Sequence, residues 1–339
     1  MNKTLSQKSN LIDNFGRPIN YLRISVTDRC NLRCVYCMPE TGIRFLPKNE
    51  ILSYEEIARI TQILADVGIT KVRITGGEPF VRADLMKLIR SIRMIKGIEE
   101  IHLTTNGILT PKFMPELKEM SIAGINLSLD TLDRERFRKI TRRNNFDEVF
   151  KTFHLALDFK IPLKINAVVM DGLNIADIPL LANLAKEYPV DIRYIEEMPF
   201  NGAENNGHSK LKWNHKQILQ ELQKFYPEIK KVSDSPNSTS MNYTVPGFKG
   251  KIGIIAGFTR TFCGTCNRIR ITAKGMFKTC LYDDGVFDLK NFLRSGVTDQ
   301  QIREMFLHLI GNRSKDGFEA EQNHNTNKPT YESMSVIGG

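Results

Sequence analysis

Short apolar runs alternate with longer amphipathic stretches over the first 200 residues of the chain. Six of the runs are rich in β-branched residues and are bounded by polar residues or glycine, which is typical of strands. They are Leu22–Val26, Val72–Thr75, Ile101–Thr105, Ile125–Leu129, Leu163–Met170 and Ile192–Ile195. Their starts are spaced close to the roughly 30 residues that a strand–helix–strand unit needs.

Helical patterns lie between these runs. Ser53 followed three residues later by Glu56 forms a capping box, which predicts a helix that ends at Gly68. Four further amphipathic stretches follow, at Asp84–Lys96, Phe113–Met120, Phe146–Phe159 and Asp177–Lys186. Strands and helices that alternate in this way predict a parallel sheet, either doubly wound or curved into a partial barrel.

The pattern changes near residue 200. Residues 201–210 and 233–240 are polar and typical of loops, and one helical stretch, Asn214–Phe225, lies between them. A last helix is predicted near Thr298–Ile310, followed by a polar stretch over residues 313–330. We therefore predict two domains, residues 1–200 and 201–339.

Composition narrows the class of protein. With 41% apolar and 25% charged residues, the 339-residue chain has the composition of a soluble protein. It contains no apolar run near the ~20 residues that cross a bilayer and no apolar segment at its N-terminus, so we expect a cytoplasmic protein. Its net charge of +10 favours an anionic ligand, although a basic surface without a role is an open alternative. The absence of a long basic run disfavours nucleic acid.

Six cysteines form two tight groups, 225 residues apart: Cys30, Cys34 and Cys37, then Cys263, Cys266 and Cys280. Disulfides are disfavoured in the cytosol, so two triplets indicate two metal sites. Each cubane iron needs one ligand beyond its bridging sulfides, and three cysteines leave one iron open. Structural zinc would need a fourth protein ligand, and neither triplet has a nearby histidine. For the second triplet, C-x2-C spacing alone leaves zinc or a redox pair open.

The first triplet resembles the motif of the radical S-adenosylmethionine (SAM) superfamily, C-x3-C-x-aromatic-C, with Tyr36 as the aromatic residue. The segment Thr75–Pro79 resembles the GGEP motif of the same superfamily. The resemblance implies that the open iron chelates SAM and that one electron then releases a 5′-deoxyadenosyl radical. Both motifs follow predicted strands, at the carboxyl edge where such sheets place their sites.

Longer stretches resemble one family in particular, the GTP 3′,8-cyclases of molybdenum cofactor biosynthesis. They are residues 14–18, 22–31, 73–79, 103–107 and 125–130, the C-x2-C-x-Arg-x-Arg segment and the final Gly-Gly pair. The resemblance implies an incomplete (βα)6 TIM-like barrel of the radical SAM type, with a C-terminal extension that carries a second 4Fe–4S cluster. It implies a lyase that converts GTP to (8S)-3′,8-cyclo-7,8-dihydroguanosine 5′-triphosphate, in which the radical abstracts the ribose C3′ hydrogen and C3′ then attacks guanine C8.

The same resemblance assigns ligands to individual residues. It implies SAM contacts for Tyr36, Gly77, Ser128 and Met198, and GTP contacts for Arg23, Arg73, Thr104, Lys164, Arg268 and Arg270. It implies catalytic roles for Arg268, Arg270, Gly338 and Gly339. Cations inside predicted strands are costly unless an anion pairs with them, which favours phosphate, although a salt bridge within the barrel is the alternative. Met198 could equally be core packing, and we interpret His102 as structural.

Partners follow from the resemblance as well. They are GTP, a flavodoxin- or ferredoxin-like electron donor and a downstream cyclic pyranopterin monophosphate synthase, with no membrane and no nucleic acid; monomer and homodimer both stay open. Two other functions stay open too: another two-cluster radical SAM enzyme acting on a peptide or small molecule, and a double zinc protein binding nucleic acid. Composition alone predicts a disordered C-terminal tail, whereas the resemblance implies that the tail reaches the active site.

Overall fold

The computed structural model describes residues 11–198, 200, 211–323 and 332–339. The strands are β1 Tyr21–Ser25, β2 Lys71–Thr75, β3 Glu100–Thr105, β4 Gly124–Ser128, β5 Leu163–Val169, β6 Asp191–Glu196, β7 Lys230–Lys231, β8 Ser240–Thr244, β9 Ile252–Ile255, β10 Arg268–Ile271, β11 Met276–Lys278 and β12 Phe287–Asp288. The α-helices are α1 Tyr54–Asp66, α2 Leu85–Arg93, α3 Met114–Glu119, α4 Arg134–Thr141, α5 Phe146–Asp158, α6 Asp177–Glu187, α7 His215–Phe225, α8 Leu289–Arg294, α9 Asp299–Ile310, α10 Gly317–Gln322 and α11 Met334–Ile337. Short 3-10 turns add Lys48–Glu50, Pro79–Val81, Thr110–Phe113 and Cys263–Thr265.

All six predicted strands and the predicted helices are confirmed to within about three residues. Helix α4 was not predicted because its sequence, RERFRKIT, is mostly charged; the Asp133 carboxylate caps it by accepting the Arg136 N–H. Within the stretch predicted as polar after residue 313, α10 forms behind a second capping aspartate, Asp316. The predicted loop at residues 201–210 lies outside the described residues.

The described strands form one sheet in the order β12-β11-β10-β1-β2-β3-β4-β5-β6-β9-β8-β7. The eight strands from β10 to β9 are all parallel, and antiparallel strands extend both ends. Strands β1 to β6 follow chain order, as six consecutive strand–helix units require. This confirms the predicted α/β fold with six core units.

The sheet buries one face and leaves the other lining a cavity. Along β5 the apolar residues Leu163, Ile165 and Ala167 are buried, whereas Lys164 and Asn166 alternate with them and remain partly accessible. The same alternation holds along β6 and β10. The apolar face packs in the main hydrophobic core with residues of the surrounding helices, so the concave face is free to carry polar chemistry.

The two ends of the sheet meet. Strand β10 pairs with β1 and β9 pairs with β6, so the C-terminal region extends both edges of the six-strand core. Arg268 of β10 donates a 2.7 Å hydrogen bond to the carbonyl of Asn237, which lies between β7 and β8 at the opposite end of the strand order. This contact requires a curved sheet. Both predicted domains contribute to this sheet, and their boundary at residue 200 stays a prediction.

Among the helices that the structure describes, none combines the length and apolar character that crossing a membrane would require.

Candidate functional site

One cavity of about 570 Å³ occupies the concave face of the sheet. All six cysteines line it, although the two triplets come from opposite ends of the chain. Of the other residues that the sequence predicted for the site, all line the cavity except Gly338, whose carbonyl accepts a hydrogen bond from Arg270 at the cavity wall. The fold therefore brings the predicted residues to one place.

The first cysteine triplet lies in the loop after β1, and α4 supports that loop. The backbone N–H groups of Arg33 and Val35 donate to the last carbonyls of α4, Thr141 and Ile140, at 3.0 and 2.9 Å. A helix end has carbonyls without intrahelical partners, and this loop satisfies two of them. The Asn106 amide reaches the Cys30 sulfur at 3.6 Å.

Two glycines let the loop after β2 pack directly on the backbone that leads into Cys30. A Cβ on Gly77 would stand 2.4 Å from the Arg29 carbonyl oxygen, and one on Gly76 would stand 2.6 Å from that of Thr27. The Gly77 N–H donates to the Thr27 carbonyl at 2.7 Å. The close approach therefore needs glycine for packing within the protein, whatever ligand the loop also holds.

Glu78 is fully buried and accepts hydrogen bonds from the N–H groups of Phe80 and Asn106 and from the Thr105 hydroxyl. Burial raises its pKa to about 7 against these donors. Its bond from Asn106 is 2.6 Å long, and Asn106 contacts Cys30, so Glu78 positions the cysteine loop.

Tyr36, between Cys34 and Cys37, is fixed from the far side of the cavity. Its hydroxyl donates to an Asp130 carboxylate oxygen at 3.1 Å, and the other oxygen accepts the Val168 N–H at 2.8 Å. Asp130 lies two residues beyond the end of β4, so the segment after this strand holds the aromatic residue of the motif in place.

The second triplet lies on two turns after β9 and β11. One Asp283 carboxylate oxygen accepts the N–H groups of Thr279 and Cys280, both at 2.8 Å, and so shapes the turn that presents Cys280. The Tyr282 hydroxyl donates to the Gly257 carbonyl at 2.6 Å and ties this turn to the segment carrying Cys263.

Residues near the N-terminus brace the second triplet. Asp13, whose side chain is fully buried, forms ion pairs with Arg17 at 2.7 Å and with Arg313 at 3.2 Å. Arg17 donates to the Cys263 carbonyl at 3.2 Å, and Arg313 donates to the Cys266 carbonyl at 3.3 Å. Although burial alone would raise the pKa of Cys266, Arg268 and Arg313 lower it to about 7. The two arginines therefore stabilise the thiolate of Cys266, whereas burial raises the pKa of Cys263.

The strands place seven cations on the cavity wall. They are Arg23, Lys71, Arg73, Lys164, Arg193, Arg268 and Arg270. Arg270, Arg23 and Arg73 are direct neighbours across β10, β1 and β2, and so form one row. Arg23 and Arg193 each keep a buried Nε without a hydrogen-bond partner in the structure. Arg73 is buried and Arg23 and Arg270 are half-buried, and neighbouring guanidinium groups repel one another, so this wall favours an anion.

The pKa values of two wall residues, Arg23 and Tyr21, are shifted by the positive charge of their neighbours. Burial and the neighbouring Arg270 lower the pKa of Arg23 well below its usual value. Burial would raise the pKa of Tyr21, but Arg73, Arg23 and Arg268 bring it to about 7; Arg73 also donates a short hydrogen bond to the Tyr21 hydroxyl. Each shift is the response expected of a cavity with excess positive charge.

The other predicted ligand residues have protein partners as well. Lys164 pairs with Asp191 at 3.2 Å, so the internal salt bridge weighed as an alternative exists for this residue. Thr104 accepts a hydrogen bond from Arg73 at 3.3 Å. Ser128 lines the cavity at the end of β4, and Met198 lines it while packing against the cluster of Phe200 and Tyr282. Met198 thus belongs both to a core and to the cavity wall.

The C-terminal tail lies against both cysteine regions. Ser333 donates to the Cys37 carbonyl at 2.7 Å, and the Ala273 N–H donates to the Val336 carbonyl at 3.0 Å. Beyond α11, the Gly339 carbonyl accepts from the Thr75 hydroxyl at 2.7 Å. Gly338 has φ +89°, and a Cβ there would stand 2.8 Å from the Thr75 methyl. The expectation of a disordered tail is therefore wrong for residues 332–339.

Sequence reasoning missed several cavity residues, including Tyr21, Lys71 and Arg193. Arg193 carries the signal that identified Arg23, a cation at an inward position of a predicted strand, and could have been found by it. His102, interpreted as structural, also lines the cavity and forms a 2.6 Å contact with Glu100.

Each cysteine triplet offers three thiols to the cavity, the number that a 4Fe–4S cluster with one open iron requires. In a 4Fe–4S cluster, each cysteine binds a different iron. Burial raises the pKa of Cys30 and Cys280 to about 12, helped by Glu78 and Asp283 respectively, so these thiols need a cationic metal to ionise.

Comparison with known proteins gives consistent results. Residues 24–185 match the radical SAM superfamily, and residues 190–319 match the family described as Molybdenum Cofactor Synthesis C. The chain is 40% identical to a GTP 3′,8-cyclase of Heliobacterium modesticaldum, a match that covers 88% of this chain and 92% of the relative. It is also 40% identical to molybdenum cofactor biosynthesis protein 1 of Drosophila melanogaster, over 94% of this chain and 56% of that protein.

The chain spans about half the length of several such relatives. Among solved structures, Streptococcus suis SuiB superposes with a TM-score of 0.60 over 95% of this chain and 77% of that one, at 16% identity. At this identity the likeness concerns the fold alone.

Proposed function

This chain belongs to the family of radical SAM proteins that includes the GTP 3′,8-cyclases of molybdenum cofactor biosynthesis, and we propose that it is itself such a cyclase. Its reaction would convert GTP to (8S)-3′,8-cyclo-7,8-dihydroguanosine 5′-triphosphate. One observation carries the proposal: two three-cysteine sites and a row of neighbouring, partly buried arginines face one cavity.

The first cysteine loop would hold a 4Fe–4S cluster and SAM. When bound together, they supply a 5′-deoxyadenosyl radical. The chain's share is to hold SAM in one orientation: Tyr36 is locked by Asp130, and Gly77 leaves its backbone close to the loop. Ser128 and Met198 would border the adenosine from the carboxyl edge of the sheet.

The arginine row would bind the GTP triphosphate. Arg23, Arg73 and Arg270 are neighbours in register. An anion would offset both the cost of burying these charges and the repulsion between them. Guanidinium forks match phosphate oxygens in geometry as well as charge. Lys164 would exchange its Asp191 partner for phosphate, and Thr104 would add a polar contact. Arg193, on the same wall, extends the set.

Cys263, Cys266 and Cys280 would hold a second 4Fe–4S cluster, which would supply an open iron as a ligand for the purine. Arg268 lies between this site and the arginine row: its Nη1 is 3.9 Å from the Cys266 sulfur. One nucleotide could therefore contact the second site with its base while its phosphates contact the row. Gly338 and Gly339 would close the cavity beside Arg270 and Thr75 and exclude water from a reactive intermediate.

The remaining assignments are part of the same proposal. They are a cytoplasmic location, a flavodoxin- or ferredoxin-like electron donor, and delivery of the product to a cyclic pyranopterin monophosphate synthase. Monomer and homodimer are separated by anaerobic size-exclusion chromatography with light scattering.

The test is anaerobic incubation of the reconstituted protein with GTP, SAM and dithionite, followed by mass spectrometry. The proposal predicts stoichiometric 5′-deoxyadenosine and a nucleotide with the mass of GTP but a different retention time. Cleavage of SAM that is indifferent to GTP, with no isomer of GTP formed, would contradict it.

A further inference from the structure

The outer surface of the first cysteine loop carries a second group of cations, separate from those in the cavity. We define the arginine face as Arg29, Arg33, Phe45, Lys139, Arg142 and Arg143. Arg29, Lys139 and Arg143 are exposed, and Arg33 and Arg142 are half-buried. The described residues that line the cavity include the three cysteines of this loop but none of the arginine face, so the loop separates the two.

The arginine face is built on the cysteine loop itself. Arg33 donates to the carbonyl of Cys30 at 2.5 Å and to that of Leu32 at 2.8 Å. Arg142, just beyond α4, donates to the carbonyls of Arg33 and Met38, both at 3.1 Å. Apart from that of Leu32, the carbonyls that these two arginines contact therefore belong to Cys30 or to residues next to Cys34 and Cys37.

Ion pairs do not neutralise this face. In the described part of the chain, its five cations form no salt bridge, whereas the adjacent Arg138 pairs with Glu135 at 2.9 Å. Between residues 28 and 47 the sequence contains two carboxylates, the exposed Glu40 and the buried Asp28, which accepts the Leu46 N–H at 2.6 Å. The solvent side of the first site therefore carries an excess of positive charge.

The arrangement suits a protein surface better than a small anion. Arg33 and Arg142 already donate to backbone carbonyls, and the other cations are spread along the loop and the helix end instead of converging on one point. Phe45 lies under two guanidinium groups, with its ring centre 5.6 Å from Arg29 Cζ and 5.3 Å from Arg33 Cζ. Arginine and aromatic side chains together are typical of the residues that dominate protein interfaces.

We infer that the arginine face is the docking surface for an acidic one-electron carrier protein that reduces the first cluster. The inference rests on the proposed function, because only a cluster held by Cys30, Cys34 and Cys37 gives the electron a destination here. In the step, a flavin hydroquinone on the carrier loses one electron and becomes the semiquinone, while the oxidised cluster gains that electron. The flavin N5 proton stays on the carrier, and no covalent bond forms or breaks.

Charge explains why this location serves the reaction. Complementary fields raise the rate at which two proteins meet, and the effect weakens once salt shortens the Debye length to a few ångströms. A carrier bound on the arginine face approaches the cluster from the side opposite the cavity. Electron delivery would then leave the substrate side of the loop undisturbed.

The test variant removes the three exposed cations, Arg29→Gln, Lys139→Gln and Arg143→Gln, and keeps Arg33 and Arg142, which hold the loop. The matched control removes three exposed cations on and just after α2: Lys87→Gln, Arg93→Gln and Lys96→Gln. The probe is reduced flavodoxin, mixed anaerobically with reconstituted protein in a stopped-flow instrument. The second-order rate of cluster reduction is expected to fall at least tenfold in the test variant at low ionic strength and to approach wild type near 0.5 M salt.

Iron content and SAM cleavage driven by dithionite should be unchanged in both variants, and flavodoxin should reduce the control at the wild-type rate. An unchanged flavodoxin rate in the test variant overturns the docking inference. So does a variant that loses affinity for duplex DNA while flavodoxin reduces it normally, since the face would then bind nucleic acid. If dithionite drives no SAM cleavage even in wild type, the proposed function fails instead.

Discussion

At the scale of single residues, Arg268 and Arg270 each connect the cavity wall to another part of the chain. Arg268 lies near the Cys266 sulfur and also donates to the Asn237 carbonyl, whereas Arg270 joins the arginine row and holds the Gly338 carbonyl. A loss at either position should therefore affect substrate binding more than the fold, because β10 keeps its buried apolar residues Ile269 and Ile271.

We predict that Arg268→Ala and Arg270→Ala each weaken GTP binding. A lost charge-assisted hydrogen bond to phosphate costs about 1.5–3 kcal/mol, which corresponds to about 10- to 100-fold in affinity. Isothermal titration under anaerobic conditions measures it, with SAM affinity as the internal control. Arg303→Ala, on the outer helix α9, should bind GTP as wild type does. Unchanged GTP affinity in both test variants would argue against a phosphate role.

A second residue-scale prediction concerns Asp13, the buried carboxylate between Arg17 and Arg313. Removing one partner of a buried ion pair costs about 3–5 kcal/mol, because the other charges are left uncompensated. Asp13→Asn should therefore loosen the segment carrying Cys263 and Cys266 and lower the iron content from about eight to about four per chain. Glu135→Gln, which breaks an exposed pair, is the control. Full iron content in Asp13→Asn would show that the brace is dispensable.

Cysteine spacing, the Gly-Gly-Glu sequence and the cations inside strands were visible in the sequence because each leaves a local pattern. The ion pairs of Asp13 with Arg17 and Arg313 were not, since Arg313 lies 300 residues from Asp13 and each residue alone is an ordinary charged residue. The sequence also did not show the role of Glu78 within the Gly-Gly-Glu segment. Its carboxylate accepts hydrogen bonds from Phe80, Thr105 and Asn106, which are contacts within the protein.

At the scale of elements, α11 and the two glycines that follow it close one side of the cavity. Deleting Gly338 and Gly339 removes the contacts to Arg270 and Thr75 but leaves Ser333 and Val336 anchored. We expect both clusters, GTP binding and SAM cleavage to survive, while cyclised product falls at least tenfold, equal to about 1.4 kcal/mol in the barrier. Side-by-side quantification of 5′-deoxyadenosine and cyclised nucleotide checks this. Wild-type amounts of 5′-deoxyadenosine and of cyclised nucleotide would show that the two glycines have no role in the reaction.

Elements with a strong apolar period were predictable, and those held by tertiary contacts were not. Strand β5 alternates over seven residues and α1 carries a complete capping box, so both were found. Strands β7 and β12 are two residues long and exist only because neighbouring strands pair with them. The tail was misjudged from composition because the burial of Val336 and Ile337 depends on a surface formed by distant residues.

At the scale of the whole molecule, a curved sheet brings two cysteine sites from opposite ends of the chain to one cavity. If the sites have separate roles, Cys280→Ser should spare the first cluster and the reductive cleavage of SAM, while cyclised product disappears. Electron paramagnetic resonance of the reduced protein, together with product analysis, distinguishes the two functions. Loss of SAM cleavage in a folded variant that still assembles the first cluster would contradict the division.

The order of the strands and the curvature of the sheet could be predicted only in part from the sequence. Six strand–helix units predicted a parallel sheet, but the addition of β9 and β10 to opposite edges depends on pairing between residues up to 250 positions apart. That pairing places Arg270 beside Arg23 and so creates the arginine row.

In the proposed reaction, a radical formed at the first site would take the ribose C3′ hydrogen of a GTP held against the second. The most direct measurement uses GTP deuterated at C3′, incubated anaerobically with the reconstituted protein, SAM and dithionite. We predict that one deuterium appears in the 5′-deoxyadenosine and none remains at C3′ of the cyclised nucleotide. Unlabelled 5′-deoxyadenosine beside GTP that keeps its deuterium would contradict the account.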